Sequence, residues 1–163
     1  MKTNISRRSL LIGMGASALL TGCGFKLRGQ FNLPPSVSPM FIEGGDFELK
    51  EALEDGLRQN EVAISETPDG SAVLRMLRSE FERNVRTTDS QGLATGYTYR
   101  YNVEFEIEDN RGTLLRRNQK IQQIRSVDYD PSEQLQVEEE EEFLKEEMEQ
   151  EISLQILRRL SRL

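Results

Sequence analysis

The chain has 163 residues, a formal net charge of -7, no histidine and one cysteine. This length fits a single domain, and the lack of histidine excludes Ser-His and Cys-His nucleophile pairs and histidine-liganded zinc. One cysteine excludes an internal disulfide or a multi-cysteine metal site, and the acidic balance argues against sequence-independent nucleic-acid binding. The remaining classes are a carboxylate enzyme, a binding module and a structural component.

Residues 1–22 have the pattern of an export signal peptide. The basic residues Lys2, Arg7 and Arg8 precede an acid-free apolar run from Leu10 to Leu20. This run is too short for a membrane-spanning helix, which needs about 20 residues. The paired arginines resemble a twin-arginine signal, and an ordinary basic start for the general secretion route is an equally good interpretation. Both routes lead across the inner membrane.

The end of this segment, Leu20-Thr21-Gly22-Cys23, resembles a lipobox. We therefore predict cleavage between Gly22 and Cys23 and lipidation of the Cys23 thiol; the alternative is a buried, unmodified cysteine behind an ordinary cleavage site. Cleavage removes three basic and no acidic residues, which lowers the net charge from -7 to -10. Several acyl chains anchor a domain stably without a spanning helix. Gly24 stands where an Asp can retain lipoproteins in the inner membrane, which favours the outer membrane.

The first part of the mature chain is predicted to be extended. Residues 25–30 alternate apolar and basic side chains and could start as a short strand. Three prolines within residues 33–39 argue against a helix there. A strand is expected at Met40–Ile42, followed by a turn at Gly44-Gly45.

A first helix is expected to begin after Asp46, as its N-cap, and to continue to about Asn60. Its apolar stripe consists of Leu49, Leu53 and Leu57. Gly56 lies beside this stripe, where glycine costs about 1 kcal/mol relative to alanine. We therefore expect another element to pack closely against Gly56.

Alternating hydrophobicity then predicts a series of strands. A short strand is expected at residues 62–64 and a longer one at residues 72–86, before a polar loop at residues 88–92. The longer strand is expected to direct one parity inward: Val73, Leu77, Phe81 and Val85. Residues 97–108 alternate strictly between apolar and polar side chains, so this strand predicts one buried and one polar sheet face.

The last two elements are a further strand and a long helix. The strand is expected at residues 114–129, where impure alternation suggests a bulge. Residues 130–133 have the Asp-Pro-Ser-Glu pattern of a helix start, and the helix is expected to end near Leu160. Its apolar stripe consists of Leu144, Met148, Ile152, Ile156 and Leu160. The run Glu138–Glu142 is typical of a solvated face.

These elements together predict an α+β fold. We expect an antiparallel meander sheet of about four strands, with two helices packed on one face and a polar opposite face. Residues 23–163 would form this single domain.

Three segments of the chain resemble the LPS-assembly lipoprotein family LptE, also called RlpB. Residues 22–29 (GCGFKLRG) match the lipidated CGF-x-LRG start of that family. The resemblance continues with the tyrosine-bearing strand at residues 96–107 and ends with the acidic-to-leucine-rich helix at residues 143–160. It covers nearly the whole mature chain.

This resemblance implies a periplasm-facing, lipid-anchored protein of the outer membrane. Members of the family plug the β-barrel of LptD, assist the assembly of that barrel and bind lipopolysaccharide on its way to the outer leaflet. The resemblance therefore implies LptD-like and lipopolysaccharide partners, and we expect no nucleic acid, cofactor, metal or catalytic residue.

The phosphates of lipopolysaccharide prefer Arg and Lys donors. Basic residues placed on the predicted strands and turns are therefore the candidate binding residues: Arg83, Arg86, Arg100, Arg111, Arg116, Arg117 and Lys120. Each alone is equally explained as a solvated surface base. The run Glu138–Glu142 stands where relatives can carry a basic residue, so lipid contact there would need bridging divalent cations.

Two other functions compete with this interpretation. A generic envelope lipoprotein could act as a binding or scaffold module for another complex, but it has no reason to carry the FxLRG motif directly after the lipidated cysteine. A hydrolase could use Glu104 and Glu106, whose side chains lie about 7 Å apart on one strand face. Period-two alternation forces that spacing on any such strand, so we expect no enzyme.

Overall fold

The computed structural model describes residues 30–129 and 134–163, with the side chains of residues 134–136 outside the description. The signal segment, Cys23, the strand expected at residues 25–30 and the helix start at residues 130–133 lie outside these residues. The described elements are β1 (Met40–Glu43), α1 (Phe47–Gln59), β2 (Ala72–Thr88), β3 (Ala94–Glu108), β4 (Leu114–Asp128) and α2 (Gln134–Leu160). The predicted α+β class is confirmed.

The four strands form one sheet in the order β1-β2-β3-β4. β2, β3 and β4 form the expected antiparallel meander, but β1 pairs with β2 in parallel. The prediction of a purely antiparallel sheet is wrong at this edge. Because α1 lies between β1 and β2 in the chain, the polypeptide returns to the end at which β1 began, and such crossovers join parallel strands.

The segments flanking β1 and α1 differ in detail from the predictions. A short 3₁₀ turn occupies Pro35–Val37, so the expectation of no helix is wrong for three residues. Pro35 stands at its start, where the missing N–H has no hydrogen bond to make. Residues 62–64, predicted as a strand, contribute an isolated bridge from Ile64 to Met40.

The core lies between the helices and one face of the sheet. Both predicted helix stripes are buried, and the β3 side chains facing them are Tyr99, Tyr101, Val103, Phe105 and Ile107, all at 0% exposure. Strict alternation on β3 therefore divides the sheet into the inner face, which the helices cover, and the outer face, which carries the even-numbered side chains of β3.

The inward parity of β2 changes along the strand, and the predicted parity is wrong in its first half. Leu74 and Met76 are buried, whereas Leu77 is 47% exposed. The register with β3 shifts between Met76 and Arg78, which is the signature of a bulge. After the bulge the odd-numbered side chains lie on the inner face, and Phe81 packs against the core as predicted. Of the other predicted residues, Val73 is buried, whereas Val85 is 58% exposed.

The bulge suspected in β4 is also present. The register of β4 against β3 slips between the pairs Phe105–Gln119 and Ile107–Arg116. Within this slip Asn118 has φ +47°, a left-handed conformation that Asn tolerates better than most residues. The slip explains the impure alternation of the β4 sequence.

The helices contact each other at Gly56, as expected. A Cβ atom at Gly56 would lie 2.7 Å from Leu157 Cδ1 and 3.1 Å from Ser153 Oγ. The Ser153 hydroxyl donates a buried hydrogen bond of 3.0 Å to the carbonyl of Ala52. Glycine therefore permits an approach that fixes α2 against α1.

Strand β4 forms one edge of the sheet, and arginines cover part of its backbone. Tyr129 N donates to the carbonyl of Thr95 at 2.8 Å. In the adjacent β4 segment, the backbone N–H and C=O groups of odd-numbered residues therefore point toward β3, and those of even-numbered residues point away from the sheet edge. Two of these outward carbonyls accept hydrogen bonds from guanidinium groups. Arg159 donates to Lys120 O at 2.7 Å, and Arg125 donates to Ile124 O at 3.1 Å.

Candidate functional site

The outer face of the sheet is polar because the even-numbered side chains of β3, from Thr98 to Glu108, are all polar or charged and lie along its centre. Each lies between side chains of β2 and β4 that share its face. Opposite charges at such cross-strand positions attract each other, and they stabilise the pairing modestly.

Arg75 of β2 joins three carboxylates on this face. Its guanidinium lies 2.6 Å from Glu43, 2.7 Å from Glu106 and 2.9 Å from Glu108. The hydrogen bond to Glu106, followed by those to Glu43 and Glu108, raises the pKa of Arg75 further above its ordinary value. Arg75 therefore links β1, β2 and β3 across the parallel edge of the sheet.

Cross-strand polar pairs continue along the rest of the outer face. They are Lys120–Glu104 at 2.8 Å, Gln122–Asn102 at 2.8 Å, Arg100–Glu82 at 3.6 Å and Thr98–Ser126 at 3.2 Å, together with the ion pairs Arg78–Glu80 and Arg86–Asp128. Glu104 and Glu106, considered above as a hydrolase pair, are each bound to a different cation. The face presents mutually neutralised pairs rather than one sign of charge.

A cleft of about 600 Å³ opens on the inner face, near the end of the sheet where β2 leads into the β2–β3 loop. Its lining residues are Asp46, Phe81, Arg83, Glu138, Glu141, Glu142 and Lys145. We call this the Arg83 cleft. It brings one predicted binding residue, Arg83, beside the glutamate run of α2, and Arg83 forms an ion pair with Glu141.

Phe81 is the aromatic residue that lines the Arg83 cleft, and other aromatic rings pack behind it. Phe81 stacks on Tyr99 with ring centroids 5.8 Å apart, and Tyr97 contacts Tyr129 at 5.7 Å. The guanidinium carbon of Arg83 lies 5.1 Å from the centre of the Tyr97 ring, which is a cation–π contact. Arg83 is thereby held between an aromatic face and a carboxylate.

A buried polar network lies beside the cleft. Asp46, the predicted N-cap of α1, accepts hydrogen bonds from the Tyr101 hydroxyl and from the Ser79 hydroxyl, the latter at 2.9 Å. Glu149 of α2 is 3% exposed, and its Oε1 lies 3.4 Å from the Tyr101 hydroxyl and 3.5 Å from Lys145 Nζ. Burial raises the pKa of Glu149 above its ordinary value, with Lys145 opposing that shift.

The predicted basic residues lie on both faces and at both ends of the described sheet. Arg83 is on the inner face, whereas Arg86, Arg100 and Lys120 are on the outer face beside acidic partners. At the far end, Arg116 donates to the carbonyls of Leu115 at 2.9 Å and Arg162 at 3.3 Å, and Arg111 and Arg117 are exposed. Arg83 is therefore the predicted residue that lines the cleft, and lipopolysaccharide binding by all of these residues stays a prediction.

Sequence reasoning missed Arg75 and Arg125. Arg125 lies 2.6 Å from Glu151 of α2 and so joins the edge strand to the helix. The contact of Arg75 with Glu43 depends on the pairing of β1 with β2, which was predicted incorrectly. Its contacts with Glu106 and Glu108 depend on the register of β2 against β3. For Arg125 the available signal was its position on the helix-facing parity of β4.

The run Glu138–Glu142 is largely the solvated face that we expected, because Glu138, Glu139, Glu140 and Glu142 are exposed and Glu141 is partly buried. Glu138, Glu141 and Glu142 also line the Arg83 cleft. Within residues 30–129 and 134–163, no group of three or more acidic or cysteine side chains is arranged to hold a metal ion. None of the helices described for these residues has the length and hydropathy needed to span a membrane.

Comparison with known sequences connects the fold to one family. The family model for LptE, described as lipopolysaccharide-assembly, matches residues 34–160. The LPS-assembly lipoprotein LptE of Photorhabdus laumondii is 28% identical over 159 residues, covering 94% of this chain and 85% of that protein. The protein of the same name from Yersinia enterocolitica is 27% identical over 158 residues, covering 94% and 75%.

Solved structures share the fold. A minor lipoprotein from Acinetobacter baumannii aligns with a TM-score of 0.65 at 24% identity, covering 79% of this chain and 94% of that one. A lipoprotein B from Nitrosomonas europaea aligns with a TM-score of 0.68 at 24% identity, covering 85% and 90%. The rare lipoprotein B from Shewanella oneidensis aligns with a TM-score of 0.63 at 26% identity, covering 76% and 93%.

Proposed function

The chain belongs to the LptE family of lipopolysaccharide-assembly proteins, and from this premise we propose that it plugs an LptD-like outer-membrane β-barrel, assists the assembly of that barrel and binds lipopolysaccharide. Lipopolysaccharide assembly is the activity named for its relatives. The family is a lipoprotein component of that process and not a known enzyme family. We propose no catalytic residue.

The observation that carries the plug proposal is the outer face of the sheet. Large barrels have a polar, water-filled lumen, and a surface inserted there needs hydrogen-bonding side chains without a large uncompensated charge. The outer face meets both needs, because pairs such as Lys120–Glu104 and Gln122–Asn102 satisfy each other within the sheet. The barrel therefore does not have to supply a counter-charge for each outer-face side chain.

Binding of lipopolysaccharide is proposed for the Arg83 cleft. Arg83 offers guanidinium N–H groups, which suit phosphate oxygens, beside the Phe81 ring, which suits an apolar or sugar surface. Its predicted neighbour Arg86 is on the outer face, paired with Asp128. We therefore propose Arg83 as the main anion contact, with Arg86, Arg100, Arg116, Arg117 and Lys120 as secondary candidates.

The membrane attachment is proposed at Cys23, which lies outside the described residues. Acylation of Cys23 after cleavage at Gly22–Cys23 would anchor the domain to the outer membrane on its periplasmic side. Residues 30–39 follow the anchor and lead into β1. Phe31 and Leu33 of this segment pack against the core, so an anchor at Cys23 would hold the domain close to the membrane that contains the barrel.

A pull-down from detergent-solubilised outer membranes tests the proposal. The full chain carries a C-terminal tag, and copurifying proteins and lipids are identified by mass spectrometry. We expect a near-stoichiometric large β-barrel together with lipopolysaccharide. Recovery of the lipoprotein alone, or with peptidoglycan-binding partners, would contradict the proposal and support a generic envelope scaffold.

Charge-reversal variants test, in the same pull-down, whether the barrel contacts the outer face rather than another surface of the domain. The double variant Arg100→Glu with Lys120→Glu places repulsive charges on the outer face, next to Glu82 and Glu104. It should lose the barrel while its circular dichroism spectrum stays unchanged. The control, Lys50→Glu with Arg58→Glu, makes the same charge change on α1 and should retain the barrel.

A further inference from the structure

The ion pair between Arg83 and Glu141 occupies the part of the cleft where an anion would bind. Glu141 extends from α2 across the cleft, and its carboxylate accepts a hydrogen bond from Arg83 Nη1. The other side of the guanidinium faces the Tyr97 ring. A carboxylate and a phosphate use the same guanidinium N–H donors, so a bound phosphate and Glu141 would compete for Arg83.

We propose that Glu141 is an internal competitor that a lipid-borne phosphate monoester must displace from Arg83, and that it thereby excludes phosphodiester lipids from the cleft. This inference rests on the lipopolysaccharide-binding function proposed above and adds a selectivity mechanism to it. The ligand class is a phosphate monoester attached to a sugar or other bulky carrier that can lie on the Phe81 ring.

The exposure of the pair makes displacement feasible. The side chains of Arg83 and Glu141 are 42% and 27% exposed, and partly exposed ion pairs alter an equilibrium by no more than about fivefold. A ligand with modestly stronger attraction to Arg83 can therefore replace the glutamate. A buried pair would have closed the site far more firmly.

Charge decides which lipids can make this exchange. A phosphate monoester carries about -1.5 to -2 near neutral pH, whereas a phosphodiester carries a single negative charge, as the Glu141 carboxylate does. The diester gains little by replacing that carboxylate, whereas the monoester gains a stronger attraction to Arg83 and to Lys145, the second cation that lines the cleft. Competition by Glu141 therefore supplies the discriminating element that selectivity often needs.

Binding assays with the full chain in detergent test the proposal. The probes are purified lipopolysaccharide, the same lipopolysaccharide with its lipid phosphates removed, and phosphatidylglycerol, each in mixed micelles of the same detergent. Glu141→Gln should bind lipopolysaccharide about twofold to fivefold more tightly and should gain binding to phosphatidylglycerol. Arg83→Gln should weaken lipopolysaccharide binding at least about fivefold, and removal of the phosphates should weaken wild-type binding similarly.

Two controls isolate the competition. Glu140→Gln makes the same charge change in the same run, at an exposed residue that does not line the cleft, and it should leave affinity unchanged. In the Arg83→Gln background, Glu141→Gln should give no gain, because the group for which it competes is absent. Arg83→Lys keeps the charge and provides a folded comparison if Arg83→Gln lowers stability.

Each contrary result has a distinct meaning. Equal gains from Glu140→Gln and Glu141→Gln, or a gain that persists without Arg83, would overturn the proposal in favour of a bulk charge effect. Unchanged binding of lipopolysaccharide by every variant would overturn it and would also remove Arg83 as the proposed anion contact, while leaving lipopolysaccharide binding by the chain intact. If neither the wild type nor any variant binds lipopolysaccharide, the proposed binding function falls, and this inference falls with it.

Discussion

At the scale of single residues, Glu149 is the clearest source of pH dependence. It is buried, and its pKa is raised above the ordinary value mainly by burial. The folded state therefore holds the proton of Glu149 more tightly than the unfolded state does. Its stabilising contribution is present below the unfolded-state pKa, near 4.3, and is lost as pH rises through the folded-state pKa.

Glu149→Gln should consequently become more stable relative to the wild type as pH rises from about 4 to 7, because an amide cannot ionise. Urea unfolding of both proteins at the two pH values measures the difference. Glu147→Gln, at an exposed residue of the same helix, is the matched control and should show no such trend. A difference between Glu149→Gln and the wild type that does not change with pH would contradict the prediction.

Gly56 gives a second residue-scale prediction. Alanine favours a helix by about 1 kcal/mol over glycine, but the new methyl group would overlap Leu157, which is 1% exposed and enclosed by the core. Overpacking of this kind costs about 1–3 kcal/mol. Gly56→Ala should therefore lower the free energy of unfolding by about 1 kcal/mol in urea titrations. A stabilised variant would contradict this and show that the two helices can move apart to accommodate the methyl group.

At the scale of elements, strands without bulges were predicted well. β3 alternates strictly over residues 97–108, and its pairing with β4 keeps one register up to Phe105. Its buried side chains were therefore predicted correctly. β2 contains a bulge near Leu77 that reverses the parity, and no glycine or proline marks it in the sequence. The parallel pairing of β1 was missed because the sequence of a four-residue strand does not show in which direction the strand runs relative to its neighbour.

The candidate site could be predicted only in part. The sequence identified Arg83 as a base on a strand, and it identified Glu138–Glu142 as an acidic run. It could not bring them together, because their contact depends on the angle at which α2 crosses the sheet and on the parity of β2 after its bulge. Arg83 pairs with Glu141, 58 residues away in the chain.

The β4 bulge provides an element-scale prediction. Asn118 has φ +47°, a conformation that costs most non-glycine residues about 1–2 kcal/mol. Asn118→Val should lower the free energy of unfolding by an amount in that range, whereas Asn118→Gly should be close to neutral. Thermal unfolding of the two variants side by side tests this, and equal effects would mean that the register slip does not need the left-handed residue.

At the scale of the whole molecule, attachment and folding should be separable. The described core uses residues between Val37 and Leu160, all downstream of Cys23. Cys23→Ala should therefore leave the unfolding temperature and the capture of the barrel in detergent extracts unchanged, while the protein shifts from the membrane fraction to the soluble periplasmic fraction. Loss of barrel capture in detergent would show that the lipid contributes directly to the complex.

The arginines along β4 have a consequence for how the molecule behaves before it meets a partner. An uncovered strand at the border of a sheet invites the same strand of another copy to add to it, and that is how many β-rich proteins begin to aggregate. Arg159 and Arg125 already occupy the carbonyls of Lys120 and Ile124, so two of the acceptors that an added strand would use are taken. This edge of the sheet should therefore resist pairing with the same edge of another copy.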